Sequence, residues 1–208
     1  MIELWIPITI LAAFSQNLRS ALQKHLKSRL STAGATYVRF FYAVPFAFLY
    51  LFILNQFFYL PLPEPNANFI IFGIIGGGTQ IIATALLVYL FSFRNFAVGT
   101  AYSKTETAQT AVFGLIILGD PLTPGAIIGI MISLVGVMAI STARQENGLK
   151  NIIQSLSQKT ALFGLASGAM FGMSAISYRA ASLSLGGEGV VIQAAYTLAC
   201  VTVFQTLI

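Results

Sequence analysis

The groups best placed to do chemistry in this chain are charged and polar side chains set inside apolar runs. Glu106 is the one acid well inside such a run, with Thr105, Thr107, Gln109 and Thr110 around it and Lys104 two residues upstream. The bilayer interior disfavours a carboxylate by roughly 2.5 to 3.5 kcal/mol on insertion scales, so a partner or a function must compensate. A carboxyl group held away from water is the kind of group a proton-coupled carrier needs. The plainer alternative is a fixed salt bridge tying two spans together, with Arg39 or Arg19 as its partner. Lys104 faces another way at a separation of two residues, and it joins Glu106 as a candidate for coupling or gating.

A second constellation fills the latter half of the first apolar run: Gln16, Asn17, Arg19, Ser20, Gln23 and Lys24. Gln16, Ser20 and Gln23 fall at i, i+4 and i+7, one face of a helix. Lipid would penalise such a stripe, so it should face a cavity or other helices. Lys24 and, with less reach, Arg19 have the alternative of extending to the headgroups. With Arg39, Gln80 and Tyr102 from later runs, Gln16, Asn17, Arg19 and Gln23 make up the expected lining of a substrate cavity.

Small residues form a third pattern. Gly164, Gly168 and Gly172 repeat at four-residue spacing, as do Gly125 and Gly129. Close helix packing accounts for both sets without a ligand. Gly73 and the triplet Gly76-Gly77-Gly78, just before Thr79 and Gln80, instead suggest a bend or exposed backbone at a pore.

These residues need membrane helices to position them. Of 208 residues, 57% are hydrophobic and only 8% are charged, and mean hydropathy is +0.83. A soluble domain carries about 25% charged residues, so lipid must solvate most of this surface. A span takes about 20 mostly apolar residues. Seven candidates emerge, at roughly 4–23, 33–54, 68–92, 96–118, 124–142, 160–181 and 189–208, which predicts an all-α polytopic membrane protein. Pro61, Pro63 and Pro65 stop any helix after the second span. Thr123-Pro124 reads as a cap with proline at the first position of the fifth helix. The start, Met1 to Trp5, has no basic region and no cleavage site, so it reads as the first span with Trp5 at the interface.

The polar stretch 145–159 carries Leu149, Ile152, Ile153 and Leu156 on one helical face, flanked by Lys150 and Lys159. It reads as an amphipathic linker lying on the membrane surface, with a solvated loop as the alternative. Leu11, Ala12, Ser20, Ala21, Ser28 and Tyr42 recur at one constant offset as Leu165, Ala166, Ser174, Ala175, Ser182 and Tyr196. Spans one and two thereby fall on spans six and seven. Five spans would form one unit, and an odd number inverts the second copy in the membrane. The expected organisation is therefore one five-helix repeat over 1–144, the linker 145–159, and the first two helices of an inverted repeat over 160–208. On this reading three further spans are missing, and the chain is expected to be a truncated form of a protein of about 300 residues.

Several function classes are excluded or weakened. The net charge of +5 is dispersed between apolar spans, which argues against nucleic acid. Cys200 is the only cysteine and His25 the only histidine, so neither a disulfide nor a metal cluster is expected, and no cofactor. There is no phosphate loop for ATP hydrolysis and no Ser/His/Asp arrangement, so the chain is not expected to be an enzyme. Lys24, Lys27, Arg29, Arg94, Arg144, Lys150 and Lys159 fall on one side of the membrane, against Arg179, Glu3, Glu64, Asp120 and Glu188 on the other. The positive-inside rule then places the N-terminus outside.

The stretch from Ala97 to Ser141 resembles the end of an EamA-type repeat of the drug/metabolite transporter superfamily. The resemblance rests on Leu118-Gly119-Asp120-Pro121-Leu122-Thr123 followed by a helix with Gly129 and Gly136. The family pattern has glutamate where Asp120 stands and proline where Thr107 stands. The resemblance implies ten spans in two inverted repeats around a central cavity for small metabolites, amino acids or drugs. It also implies a cytoplasmic N-terminus, opposite to the charge count. The function expected is secondary transport by alternating access in a bacterial plasma (inner) membrane. A non-catalytic membrane subunit, a channel and an inactive transporter fragment are the alternatives. Expected partners are the lipid bilayer, a small-molecule substrate, protons or another coupling ion, and a second copy of the chain as a homodimer.

Overall fold

The computed structural model describes residues 5–93, 96–143, 159–187 and 189–208, and these are helical throughout apart from short connectors. In chain order the helices are α1 (Trp5–Lys27), α2 (Thr32–Phe41), α3 (Ala43–Phe57), α4 (Ala67–Leu90), α5 (Phe96–Ser103), α6 (Glu106–Phe113), α7 (Pro124–Ala143), α8 (Lys159–Ser184) and α9 (Val190–Leu207). A single π-helical turn, Gly114–Leu118, extends α6. The residues of the expected amphipathic linker up to Gln158 lie outside the described residues, as do Glu3, Arg94, Arg144, Lys150, Glu188 and the side chain of Trp5.

Four helical segments are long and apolar enough to cross a membrane among the described residues: Thr32–Phe57, Ala67–Leu90, Lys159–Ser184 and Val190–Leu207. The protein is thus all-α and polytopic, while the expected count of seven is not reached on this measure. The shortfall has local causes. Helix α1 is diluted by its polar half, and the described apolar part of α7, Pro124–Val137, is short.

The expected second span is one rod interrupted at Tyr42, between α2 and α3. Pro45 explains the interruption, because it has no N–H to offer the Phe41 carbonyl and its ring crowds that group. The expected uninterrupted span 96–118 is a correction. It breaks at Lys104-Thr105, where the backbone N–H groups reach back only three residues, to Ala101 and Tyr102. The Ser103 and Thr105 hydroxyls donate to the Thr100 and Tyr102 carbonyls at 2.8 and 2.7 Å, so side chains take acceptors that a continuous helix would use. The run ends where Gly119 adopts φ +69, with its N–H on the Gly114 carbonyl, a left-handed cap that favours glycine. Thr123 then accepts the Ala126 N–H at 3.2 Å, so the predicted cap and its following proline do open α7.

Helix α8 is central and packs on α4, α5 and α6, while α9 packs on α2, α3 and α4. Absent side chains allow the close approach. A Cβ on Gly164 would collide with the Gly99 carbonyl, one on Gly168 would meet Ser103 O at 2.9 Å, and one on Gly172 would meet Thr110 Oγ1 at 3.0 Å. Gly76 and Gly77 receive the rings of Tyr178 and Phe204. Helix α4 runs unbroken from Ala67 to Leu90 through the glycine triplet. Gly125 and Gly129 differ from expectation, since a Cβ on either would meet no described atom within 4 Å. Their face of α7 turns away from the described helices.

The buried core is narrow. Ala83, Leu87, Leu90 and Phe171 form its main cluster, and Ser167, fully buried, donates to the Ala83 carbonyl at 2.9 Å. Large apolar side chains such as Phe46, Phe57, Ile116 and Met131 project outward. That outward apolar surface suits a lipid solvent, which makes no demand for polar groups on the helix exteriors.

Candidate functional site

Five helices converge on a cavity of about 530 Å³. Helix α1 contributes Gln16 and Arg19, α2 contributes Arg39, α4 contributes Gln80, α6 contributes Glu106, and α8 contributes Phe171, Ser174 and Tyr178. The break at Lys104-Thr105 makes Glu106 the first residue of α6. A carboxylate in the first turn of a helix is favoured by the positive end of the helix dipole.

Arg39 is held from several sides. Its Nη1 donates to Thr84 Oγ1 on α4, and its guanidinium lies 5.3 Å from the Phe40 ring centre and 5.8 Å from that of Phe171. Such contacts with ring faces favour a cation and fix its plane. Arg19 and Glu106 interact electrostatically across the cavity, as do Arg39 and Glu106, but neither arginine makes a direct ion pair with Glu106 among the described residues. The expected alternative, a fixed Glu106–arginine salt bridge, is thus not the arrangement seen.

Below the charged groups lies a neutral hydrogen-bonded cluster. Tyr178 Oη donates to Gln80 Oε1 at 2.8 Å. Gln205 Nε2 donates to the same oxygen at 2.7 Å, and lies 3.0 Å from Tyr178 Oη and 3.2 Å from the Gly77 carbonyl. Gln80, Tyr178 and Gln205 also border a second, mostly apolar cavity of about 610 Å³ between α8 and α9. The cluster therefore stands between two cavities. A third space, of about 320 Å³, lies between α1 and α2 and shares Arg19 and Arg39 with the first; Gln23, Val38 and Tyr42 complete much of its wall.

Of the expected cavity residues, Gln16, Arg19, Arg39 and Gln80 come together, and the coupling candidate Glu106 joins them. Gln23 lines the smaller space instead, 3% exposed, with neither amide atom hydrogen-bonded. Asn17 points outward from α1, one position off the polar face. Tyr102 is buried with Ala161 and Leu165 at the α5–α8 contact, away from the cavity. Lys104 is exposed at the break.

The sequence reading missed the α8 wall. Phe171, Ser174, Ala175 and Tyr178 fall at i, i+3, i+4 and i+7, a single helical face whose spacing was legible. Thr84 and Gln205 were visible only as polar residues in apolar runs. At the far end of α8, Arg179 pairs with Asp120 in the connector before α7, and Arg179 Nη2 lies 3.1 Å from Asp120 Oδ1. Nearby in the fold, Asn66 caps α4 by accepting the Phe69 N–H at 2.8 Å, and its amide donates to the Ser184 carbonyl at 2.5 Å.

Against known proteins, a family profile described as the EamA-like transporter family matches residues 3–142. No curated protein and no solved structure matches the chain.

Proposed function

We propose, from the premise that this chain belongs to the EamA-like transporter family, that it is a secondary transporter moving small metabolites, amino acids or drugs across the plasma membrane by alternating access. Membership makes it a multi-pass membrane protein of the transporter type. The observation that carries the finer reading is the cavity of about 530 Å³, walled by five helices and carrying Arg19, Arg39 and Glu106. A volume of this order suits a small solute. Charges kept inside membrane helices mark a solute or ion path more often than a structural contact.

In this reading the first repeat runs over 1–144 and a second, inverted repeat begins at 160. Arg19, Arg39, Gln16 and Gln80 orient the solute. Glu106 acts as the coupling or gating carboxylate, since it shares the cavity with the solute and is not locked to an arginine. Tyr178 and Gln80 close the cavity toward the apolar space below.

Reconstitution into proteoliposomes tests this. The purified chain should accumulate or release solutes from a metabolite mixture when a proton gradient is imposed, and Glu106→Gln should flatten the pH dependence of that flux. PH dependence unchanged in Glu106→Gln would remove the carboxylate from the mechanism. Absence of flux for every solute, with protein shown to be folded, would overturn the transporter reading.

A further inference from the structure

We propose that Arg19 and Arg39 hold an oxyanion, a carboxylate or a phosphate ester, of the solute that occupies the cavity, a reading that rests on the transport function above. Three observations converge on this pair.

The first is charge. Arg19, Arg39 and Glu106 share one cavity, so two guanidinium groups face one carboxylate. No direct ion pair consumes either arginine among the described residues. A cation left over within membrane helices is expensive unless an anion joins it. With Lys104 also acting on Glu106 from the helix break, positive charge is in surplus around the cavity, and an anionic group on the solute offsets it.

The second is unused hydrogen-bonding capacity. Arg19 Nε is buried and has no acceptor. One turn on, Gln23 is 3% exposed with its amide nitrogen and oxygen both unpartnered. Arg19 lines the main cavity and, with Gln23, the smaller space beside it. Buried donors of this kind mostly have a partner, from the protein, a ligand or ordered water. An oxyanion seated between the arginines satisfies Arg19 Nε and draws on the Gln23 amide.

The third is rigidity. Thr84 and the rings of Phe40 and Phe171 hold the Arg39 guanidinium, so its position does not wait for a ligand. A planar fork fixed in advance matches the two oxygens of a carboxylate or phosphate better than a flexible ammonium does. Phe171 and Ala175 offer the apolar part of the solute a wall.

The test is binding to the full chain in phosphatidylcholine nanodiscs at fixed ionic strength, followed as a rise in melting temperature. The probes are 3-phenylpropionate and phenyl phosphate, with 3-phenylpropionamide and 3-phenylpropylamine as neutral and cationic matches. Sodium chloride and inorganic phosphate form separate arms. Either acid should bind, and the amide and amine should not. Arg19→Gln and Arg39→Gln should each weaken acid binding about tenfold or more, the scale of one lost hydrogen bond to a charged group. Arg39→Lys covers a failure of Arg39→Gln to fold, and acid binding should fall there too, because the charge remains without the fork.

Equal binding of amide, amine and acid would overturn the proposal. So would acid binding that survives Arg19→Gln with Arg39→Gln, or saturation by chloride or inorganic phosphate with no further response to the organic acids. Acid binding without flux in proteoliposomes would count against transport alone. Flux of a solute that ignores both arginines would count against the anion site alone.

Discussion

The hydroxyl of Tyr178 on α8 donates a 2.8 Å hydrogen bond to the side-chain oxygen of Gln80 on α4, and the two residues border both the charged cavity and the apolar one beneath it. Gln205 from α9 bonds to the same oxygen at 2.7 Å, so three helices meet at one acceptor. The Tyr178 ring lies so close to α4 that a Cβ on Gly76 would meet it at 2.6 Å. The partition between the cavities is therefore a side-chain assembly that few substitutions can reproduce.

Tyr178→Phe keeps the ring and removes the donor. Gln80 Oε1 retains Gln205, so the expected loss is about 1 kcal/mol of stability. Gln205→Leu removes contacts to Gln80, Tyr178 and the Gly77 carbonyl and should cost more, about 1–3 kcal/mol, because three polar contacts of one buried amide go together. Thermal melts of the purified variants decide the order. A double variant whose loss equals the sum of the single losses would show that the three side chains do not act as a unit.

Glycines at identical spacing should respond in opposite ways. Gly164→Ala drives a methyl group into the Gly99 carbonyl and against Tyr102, and overpacking of this kind costs about 1–3 kcal/mol. Gly129→Ala meets no described atom and replaces a poor helix former, so it should be neutral or stabilising by up to about 1 kcal/mol. Melting temperatures of the two variants give the comparison. A loss for Gly129→Ala as large as that for Gly164→Ala would mean that another helix or a second copy occupies that face of α7.

The Asp120–Arg179 pair ties the connector before α7 to the end of α8, with both side chains partly exposed. Exposed pairs contribute about 0–1 kcal/mol even with good geometry. Asp120→Asn and Arg179→Gln should each lower the melting temperature only slightly, and a double-mutant cycle should give a coupling below about 1 kcal/mol. Raising the salt concentration should shrink that coupling further. A coupling several times larger would place the pair in a desolvated contact that closes this end of the molecule.

Much of the helical order could be read from the residues in sequence. Polar interruptions at Lys24–Arg29 and Pro61–Asn66, and the Thr123-Pro124 cap, mark breaks that the structure also has, because turn chemistry and missing N–H groups act locally. The break inside 96–118 was not legible. Ser103 and Thr105 are compatible with a helix, and nothing in their types marks the turn at which the Lys104 and Thr105 N–H groups reach back only three residues. Likewise, Pro45 interrupts a rod whose hydropathy runs straight through.

For the cavity, residue type and helical spacing pointed to Gln16, Arg19, Arg39, Gln80 and Glu106, which line it together, since polar groups in apolar helices need a reason to be there. Type could not separate these from Asn17, Tyr102 and Lys104. A helix rotates about 100° per residue, so one position decides between a cavity and the outside. Nor could sequence show that Tyr178, Ser174 and Phe171 complete the wall, because that depends on which face of α8 meets α4 and α6. Glycine placement helps to set that face: Gly164, Gly168 and Gly172 let α8 approach α5 and α6 closely, while Phe171, Ser174 and Tyr178 line the charged cavity. The sequence by itself determined a lipid-solvated helical protein with buried ionisable groups, because solvent transfer acts on each residue separately. Only the tertiary structure decided which of those groups meet, because close packing acts between faces.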